Sequence, residues 1–351
     1  MTTERFKELD CLRGVASLSI VFFHFFAGTK AFDIYFKYGG TTVDLFFIIS
    51  GFVIFLSVRN NNSWIDFVKK RVLRLYPTYW ICLTITTLSI ILNHYFLSTD
   101  NQGLFFRFLT NFTMFQYYFK VDDMDGPYWT LAIELMFYLL IAFLLLLNGL
   151  NKIEIIGVLI LSLSVFLYFC LLPYYPLIYH SINRAFPLIN HWPMFFAGIL
   201  FYKQKKDKET ILRYVLIVVC FFVGLLVFRK ASRTADFISI FQYGIVLTIY
   251  FLLFFLLVKD LLKFINFNFF IFLGNISYTL YLIHQYIGRD LLLKNITNYT
   301  KLYWGVGCLL SVLFSVFLSI VITYYLEPPL RKILKKSLFD GRYMKNDQKN
   351  R

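Results

Sequence analysis

Charge is what this chain lacks. Only 16% of its 351 residues are Asp, Glu, Lys or Arg, against roughly a quarter in an ordinary soluble domain. Hydrophobic residues make up 59%. This balance argues against a water-soluble core, and against a disordered chain, which is poor in apolar residues. Cysteine is scarce as well. Cys11, Cys82, Cys170, Cys220 and Cys308 lie far apart in or beside apolar stretches, without a C-x-x-C. Neither a disulfide framework nor a metal site is expected from them. The chain has no G-x-S-x-G and no H-E-x-x-H, so a serine-hydrolase elbow and a zinc-peptidase helix are unsupported. The first apolar run holds Arg13 and shows no small-residue cleavage signal, so it reads as a retained span. No internal repeat is apparent.

What is abundant is apolar length. A span needs about 20 mostly apolar residues, and the sequence supplies ten such stretches: 12–28, 41–58, 77–97, 131–148, 153–172, 190–202, 211–228, 237–258, 269–288 and 302–326. The sixth is short, contains Pro193 and Gly198, and reads as broken, tilted or beginning nearer Phe186. The expected fold class is all-α: a polytopic membrane protein with about ten helices. The net charge of +15 would suggest nucleic acid in a soluble protein. Here the basic residues fall between spans. With the N-terminus inside, 24 of the 35 lie on the cytoplasmic side, which predicts both termini cytoplasmic. The longest connection, 98–130, becomes an outer loop holding Asp122, Asp123 and Asp125. Residues 1–330 read as one membrane domain, and 331–351 as a basic cytoplasmic tail near anionic lipid.

Ionisable residues inside spans are costly and mark function. Arg13 and His24 are eleven residues apart, so they share a helix face and lie about 16 Å apart along the axis. With alternating span directions, Asp44, Glu134 and His284 all fall near the depth of His24. Four such side chains in one layer predict a polar chamber, equipped for general acid–base chemistry. On the inner side, Arg71 and Arg74 share a face beside the third span. With Arg13 they suit an anion bearing several phosphates. His94, His180 and His191 sit near outer span ends and read as interfacial.

These residues resemble landmarks of the acyltransferase family 3 membrane proteins. Arg13 and His24 match the Arg-x10-His signature. The segment Val43-Asp44-Leu45-Phe46-Phe47-Ile48-Ile49-Ser50-Gly51-Phe52, the Arg71-x-x-Arg74 pair with Tyr76-Pro77, and Trp129-Thr130-Leu131 leading to Glu134 are similar too. So are Gly274-Asn275-Ile276-Ser277-Tyr278, Tyr281-Leu282-Ile283-His284 and the closing Glu327-Pro328. Family members often have two adjacent acids where this chain has Glu134-Leu135.

The resemblance implies ten core helices and transfer of an acyl group, usually acetyl, from cytoplasmic acetyl-CoA to a hydroxyl of an envelope or exported carbohydrate. The acceptor can be lipid-linked. It implies residence in a cell membrane of the bacterial inner-membrane type and contact with membrane lipids. No nucleic acid partner is expected, no metal is expected, and a homo-oligomer is left open. The extracytoplasmic hydrolase-like domain of some members is not expected here. His24 is read as general base or acyl acceptor, with Asp44 or Glu134 orienting it and His284 polarising the thioester or lining the chamber. Arg13, Arg71 and Arg74 would take the donor's phosphates, and Trp129, Ser277 and Tyr278 the substrate. The competing readings are a carrier or flippase for a lipid-linked saccharide, favoured by midplane charges, and an assembly partner of a polysaccharide synthase.

Overall fold

A computed structural model describes residues 5–58, 63–97, 102–299 and 303–339. The described residues form helices joined by short 3-10 and π-helical turns, with no strand among them. In chain order the α-helices are α1 Lys7–Phe26, α2 Thr42–Val58, α3 Trp64–Leu97, α4 Leu104–Phe112, α5 Trp129–Leu146, α6 Ile153–Phe166 and α7 Pro176–Ala185. They continue with α8 Leu188–Lys206, α9 Ile211–Ala231, α10 Ile240–Val258, α11 Asn268–Ile283, α12 Lys294–Tyr299, α13 Trp304–Val321 and α14 Glu327–Phe339. Among the described residues, eight helical stretches are long and apolar enough to cross a membrane. The chain is therefore an all-α, polytopic membrane protein. The expected sixth and ninth spans are helices as well, α8 and α11.

Several ends differ from the expected ones. The third helix starts at Trp64 and passes through Pro77, so Arg71 and Arg74 stand on the helix itself. The second span begins with a π-helical turn, Phe32–Phe36, and a 3-10 turn, Lys37–Thr41, before α2. The sixth is an unbroken helix despite Pro193. A proline frees the carbonyl four residues earlier, and that carbonyl, on Ile189, accepts from the Ser164 hydroxyl at 2.7 Å. The last span does not close at Glu327-Pro328. A π-helical turn, Ile322–Leu326, leads into α14. Pro328 and Pro329 follow directly on that turn, within the first turn of α14. Residues 340–351, most of the expected tail, lie outside the described residues.

The chain divides into two compact units. One comprises Met1–Trp64 and Thr130–Asn275, the other Ile65–Trp129 and Ile276–Arg351.

In the first unit α8 is the central helix, buried along nearly its whole length. Its crossing with α2 is set by two glycines. A Cβ at Gly51 would lie 2.1 Å from the Phe195 carbonyl oxygen, and one at Gly198 would lie 2.1 Å from that of Ile48. Small residues let helix backbones touch in a membrane, where apolar burial gives helices no preference for each other. At one end of the unit, Glu154 pairs with Lys203 and, at 2.8 Å, with Arg213.

In the second unit the segment after α3 doubles back. Its expected place was an outer loop beyond residue 97. Instead the Tyr79 hydroxyl donates to Asn111 O at 2.7 Å, the Trp80 indole to Phe112 O at 3.0 Å, and the Tyr76 hydroxyl to Thr113 O at 3.0 Å. These are carbonyls that the end of α4 leaves without helical partners. Tyr76 is about 30 Å from Leu97 along α3, so the segment returns along most of that helix. Asn111, fully buried, knits the rest: its amide donates to Arg107 O and Asp122 O, and its oxygen accepts from Met124 N.

Candidate functional site

In the first unit α1 is one uninterrupted helix carrying both Arg13 and His24. Arg13 donates to Asp10 at 3.2 Å, one turn back, and Asp10 also receives Arg5 at 2.6 Å. Two guanidinium groups on one carboxylate leave this corner positive, and Arg5 is further fixed by Asn275 at 2.7 Å. His24 is half-buried and meets the Phe23 ring edge-on at 5.0 Å.

Asp44 is buried, and its carboxylate accepts from the Tyr243 hydroxyl at 3.0 Å. Tyr243 is clamped in turn by Phe228, stacked at 3.8 Å. Two turns further along α10, Tyr250 shares a 2.8 Å hydrogen bond with Thr41. Glu134 is half-buried and accepts from Ser50 at 3.2 Å and from Tyr138. In both, the donors to the carboxyl oxygens are side-chain hydroxyls.

The register of α2 on α1 corrects the single layer expected from the sequence. Thr42 donates to Ala16 O, and Phe52 packs on Phe6 at 5.4 Å. The two helices are thus antiparallel, and Asp44 lies level with residues near Arg13 to Ser17. That is about 10–15 Å from His24 along the axis. Ser50, which holds Glu134, lies lower still. His24, Asp44 and Glu134 therefore lie at three successive depths rather than one, Glu134 the lowest. The physical reason is the early start of the spans: ten helical residues, Phe32–Thr41, precede α2, and a 3-10 turn at Gly126 precedes α5. Each carboxylate is deeper in its span than a count from the α-helix alone gives. Neither is placed to orient the His24 ring by direct contact.

The second unit holds Arg71, Arg74, Trp129, Ser277, Tyr278 and His284. The Arg71 guanidinium is half-buried with its carbon 5.4 Å from the Phe67 ring centre, while Arg74 is exposed. Trp129 is half-buried and Ser277 buried. The Tyr278 hydroxyl donates to Leu75 O at 3.3 Å, which ties α11 to α3 beside Arg74. His284 is fully buried where α11 passes into a ten-residue π-helical segment, His284–Leu293. Its Nδ1 lies 2.8 Å from Tyr281 O and 3.2 Å from Leu280 O. Two carbonyl acceptors keep the proton on Nδ1, so the neutral ring presents Nε2 as a base.

His180 is exposed on α7, but His191 is buried in α8 with its ring 5.1 Å from Phe47, a core rather than an interfacial position. The side chain of His94 lies outside those described. Among the described residues no group of three or more His, Cys, Asp or Glu is placed to hold a metal ion. The sequence reading missed Tyr243 and Tyr250, whose seven-residue spacing puts them on one face of α10. It also passed over Asp125, which is buried and accepts from Tyr286 N at 3.2 Å. Burial pushes the Asp125 carboxyl up to about 8.

A family model described as an acyltransferase domain matches residues 6–327. Nodulation protein 10 of Rhizobium leguminosarum bv. viciae is 29% identical over 163 residues, 40% of this chain and 44% of that protein. The chain thus matches less than half the length of that relative. A protein of Acidianus two-tailed virus, provisionally named acetyltransferase ORF330, is 26% identical over 290 residues, 78% of this chain and 80% of that protein. No solved structure matches.

Proposed function

The chain belongs to the acyltransferase family whose model spans residues 6–327, and from that membership we propose that it O-acylates a carbohydrate, with acyl-CoA as donor. It is a membrane acyltransferase; the donor, the acceptor and the residue roles are our reading. The observation that carries the reading is α1, one unbroken helix with a positive corner at Arg13 and a histidine three turns above it, with the hydroxyl-held Asp44 on α2 at a depth between them.

The chemistry follows in order. Arg13 takes a phosphate of the donor by charge-assisted hydrogen bonds. The arm of the donor rises past Asp44, whose carboxyl accepts from one of its amide N–H groups. The thioester reaches His24. There the imidazole removes the proton of an acceptor hydroxyl as its oxygen attacks the thioester carbon, and the thiolate departs. A covalent acyl-histidine is the alternative route through the same residue. Acetyl as the group transferred accords with the name of the viral relative, an acetyltransferase, and a surface or exported saccharide as acceptor is our own choice.

His24→Ala in purified, correctly inserted protein is expected to lower transfer by roughly two to four decades. Near-wild-type transfer by that variant contradicts His24 as the centre. A carrier for a lipid-linked saccharide would move its cargo without any acyl donor.

A further inference from the structure

The sequence holds three acids in four residues, Asp122, Asp123 and Asp125, and the proposed chemistry uses none of them. Asp125 differs from the other two. It is 2% exposed, and both carboxyl oxygens lie 3.2 Å from the backbone nitrogen of Tyr286. Tyr286 is the third residue of the π-helical segment that begins at His284.

That position has a physical meaning. At Ile283 the backbone leaves α-helical geometry, with φ −118° and ψ −12°. Beyond it each N–H reaches back five residues instead of four. At such a widening two N–H groups compete for one carbonyl, so one donor is surplus. A buried surplus donor is costly unless something accepts it. Asp125 accepts the N–H of Tyr286, two residues past His284.

Two more ties fix the same corner. The side-chain amide of Gln285 packs directly on Gly126, where a Cβ would lie 2.4 Å from it. The Tyr281 hydroxyl donates to Pro127 O at 3.2 Å. Residues 125–127 therefore grip the helix at 281, 285 and 286, on both sides of His284.

We propose that Asp125 is a positioning residue for His284: it holds the onset of the π-helical segment, and so sets the height and heading of the imidazole. The inference rests on the reading of His284 as a participant in acyl transfer. Asp125 acts as an acceptor rather than as a charge. Burial raises its carboxyl to about 8, so it is largely neutral at pH 7, and asparagine can supply the same acceptor oxygen.

The test is steady-state transfer by the full-length protein in vesicles, with acetyl-CoA as donor. Asp125→Ala is expected to lower kcat by about 10- to 100-fold through ring displacement, with KM for the donor within about twofold. Asp125→Asn is expected to stay within about threefold of wild type. In a His284→Ala background, Asp125→Ala should add less than about threefold, because the two act as one unit. An equal loss in both backgrounds overturns the proposal, since a merely structural residue would cost the same with or without the histidine. Wild-type kcat in Asp125→Ala, alongside a loss in His284→Ala, overturns it while leaving His284 in place. Wild-type kcat in His284→Ala itself overturns the reading beneath it. Should Asp125→Ala not fold, Tyr281→Phe removes only the second tie. It is expected to lose about three- to tenfold in kcat, again only when His284 is present, and an unchanged kcat overturns the proposal.

Discussion

Asp44 and Asp125 are both buried carboxyl groups, 7% and 2% exposed, yet they are held in opposite ways. Asp44 stands in the first turn of α2 in the first unit, and its partner is the side-chain hydroxyl of Tyr243. Asp125 stands in a turn of the second unit and is held by a backbone N–H released at a π-helical widening. The contrast separates two uses of a buried acid. One is presented by a removable side chain and left to act on whatever enters beside it. The other is built into the backbone and acts by keeping a neighbour in place.

Three experiments break or sharpen that contrast. The largest effect expected is a pH dependence. The Asp125 carboxyl is raised from an ordinary 3.8 to about 8. Between those values the unfolded chain ionises while the folded one stays protonated, so folding stability falls as pH rises from about 4 to about 8. The slope approaches about 1.4 kcal/mol per pH unit at its steepest. Asp125→Asn removes this component, so unfolding curves of variant and wild type should diverge across that window. Parallel curves would mean that Asp125 ionises as readily folded as unfolded.

The next effect belongs to Tyr243→Phe. It leaves the Asp44 carboxylate short of its hydroxyl donor, at a cost of about 1–3 kcal/mol, read as a lower thermal midpoint in detergent. If the variant is as stable as wild type, Asp44 does not depend on that side chain and the contrast with Asp125 fails. The smallest effect expected is that of Ser50→Ala. Glu134 keeps Tyr138 as a donor, so the loss should be no more than about 1 kcal/mol. A larger loss would show that Ser50 is the main support of Glu134.

Much of the fold was legible because apolar length is an unambiguous signal. Each of the ten expected spans corresponds to a helix, and the eleven-residue spacing of Arg13 and His24 fixed their shared face before any coordinates. Depth was less legible. The stretch Phe32-Asp33-Ile34-Tyr35-Phe36-Lys37 mixes charge with aromatics and reads as a connection, yet it forms the first turns of the second span. Missing it placed Asp44 and Glu134 in one layer with His24 rather than below it. Pro77, Pro193 and Pro328 read as punctuation, yet each sits inside continuous helix, and at Pro193 the freed carbonyl is taken by Ser164, a partner 25 residues from Ile189. Asp125 could not be told from Asp122 and Asp123, because the choice is made by a donor 161 residues away.

The central claim is acyl transfer from coenzyme A to a saccharide hydroxyl, and one measurement addresses it directly. The purified protein, reconstituted in vesicles, is given acetyl-CoA labelled in the acetyl group together with a saccharide extract of its host envelope. The account predicts label that becomes ester-linked to carbohydrate, is released by mild alkali, and is absent when His24→Ala replaces the wild type. Saccharide that crosses the vesicle membrane without acquiring label would contradict it.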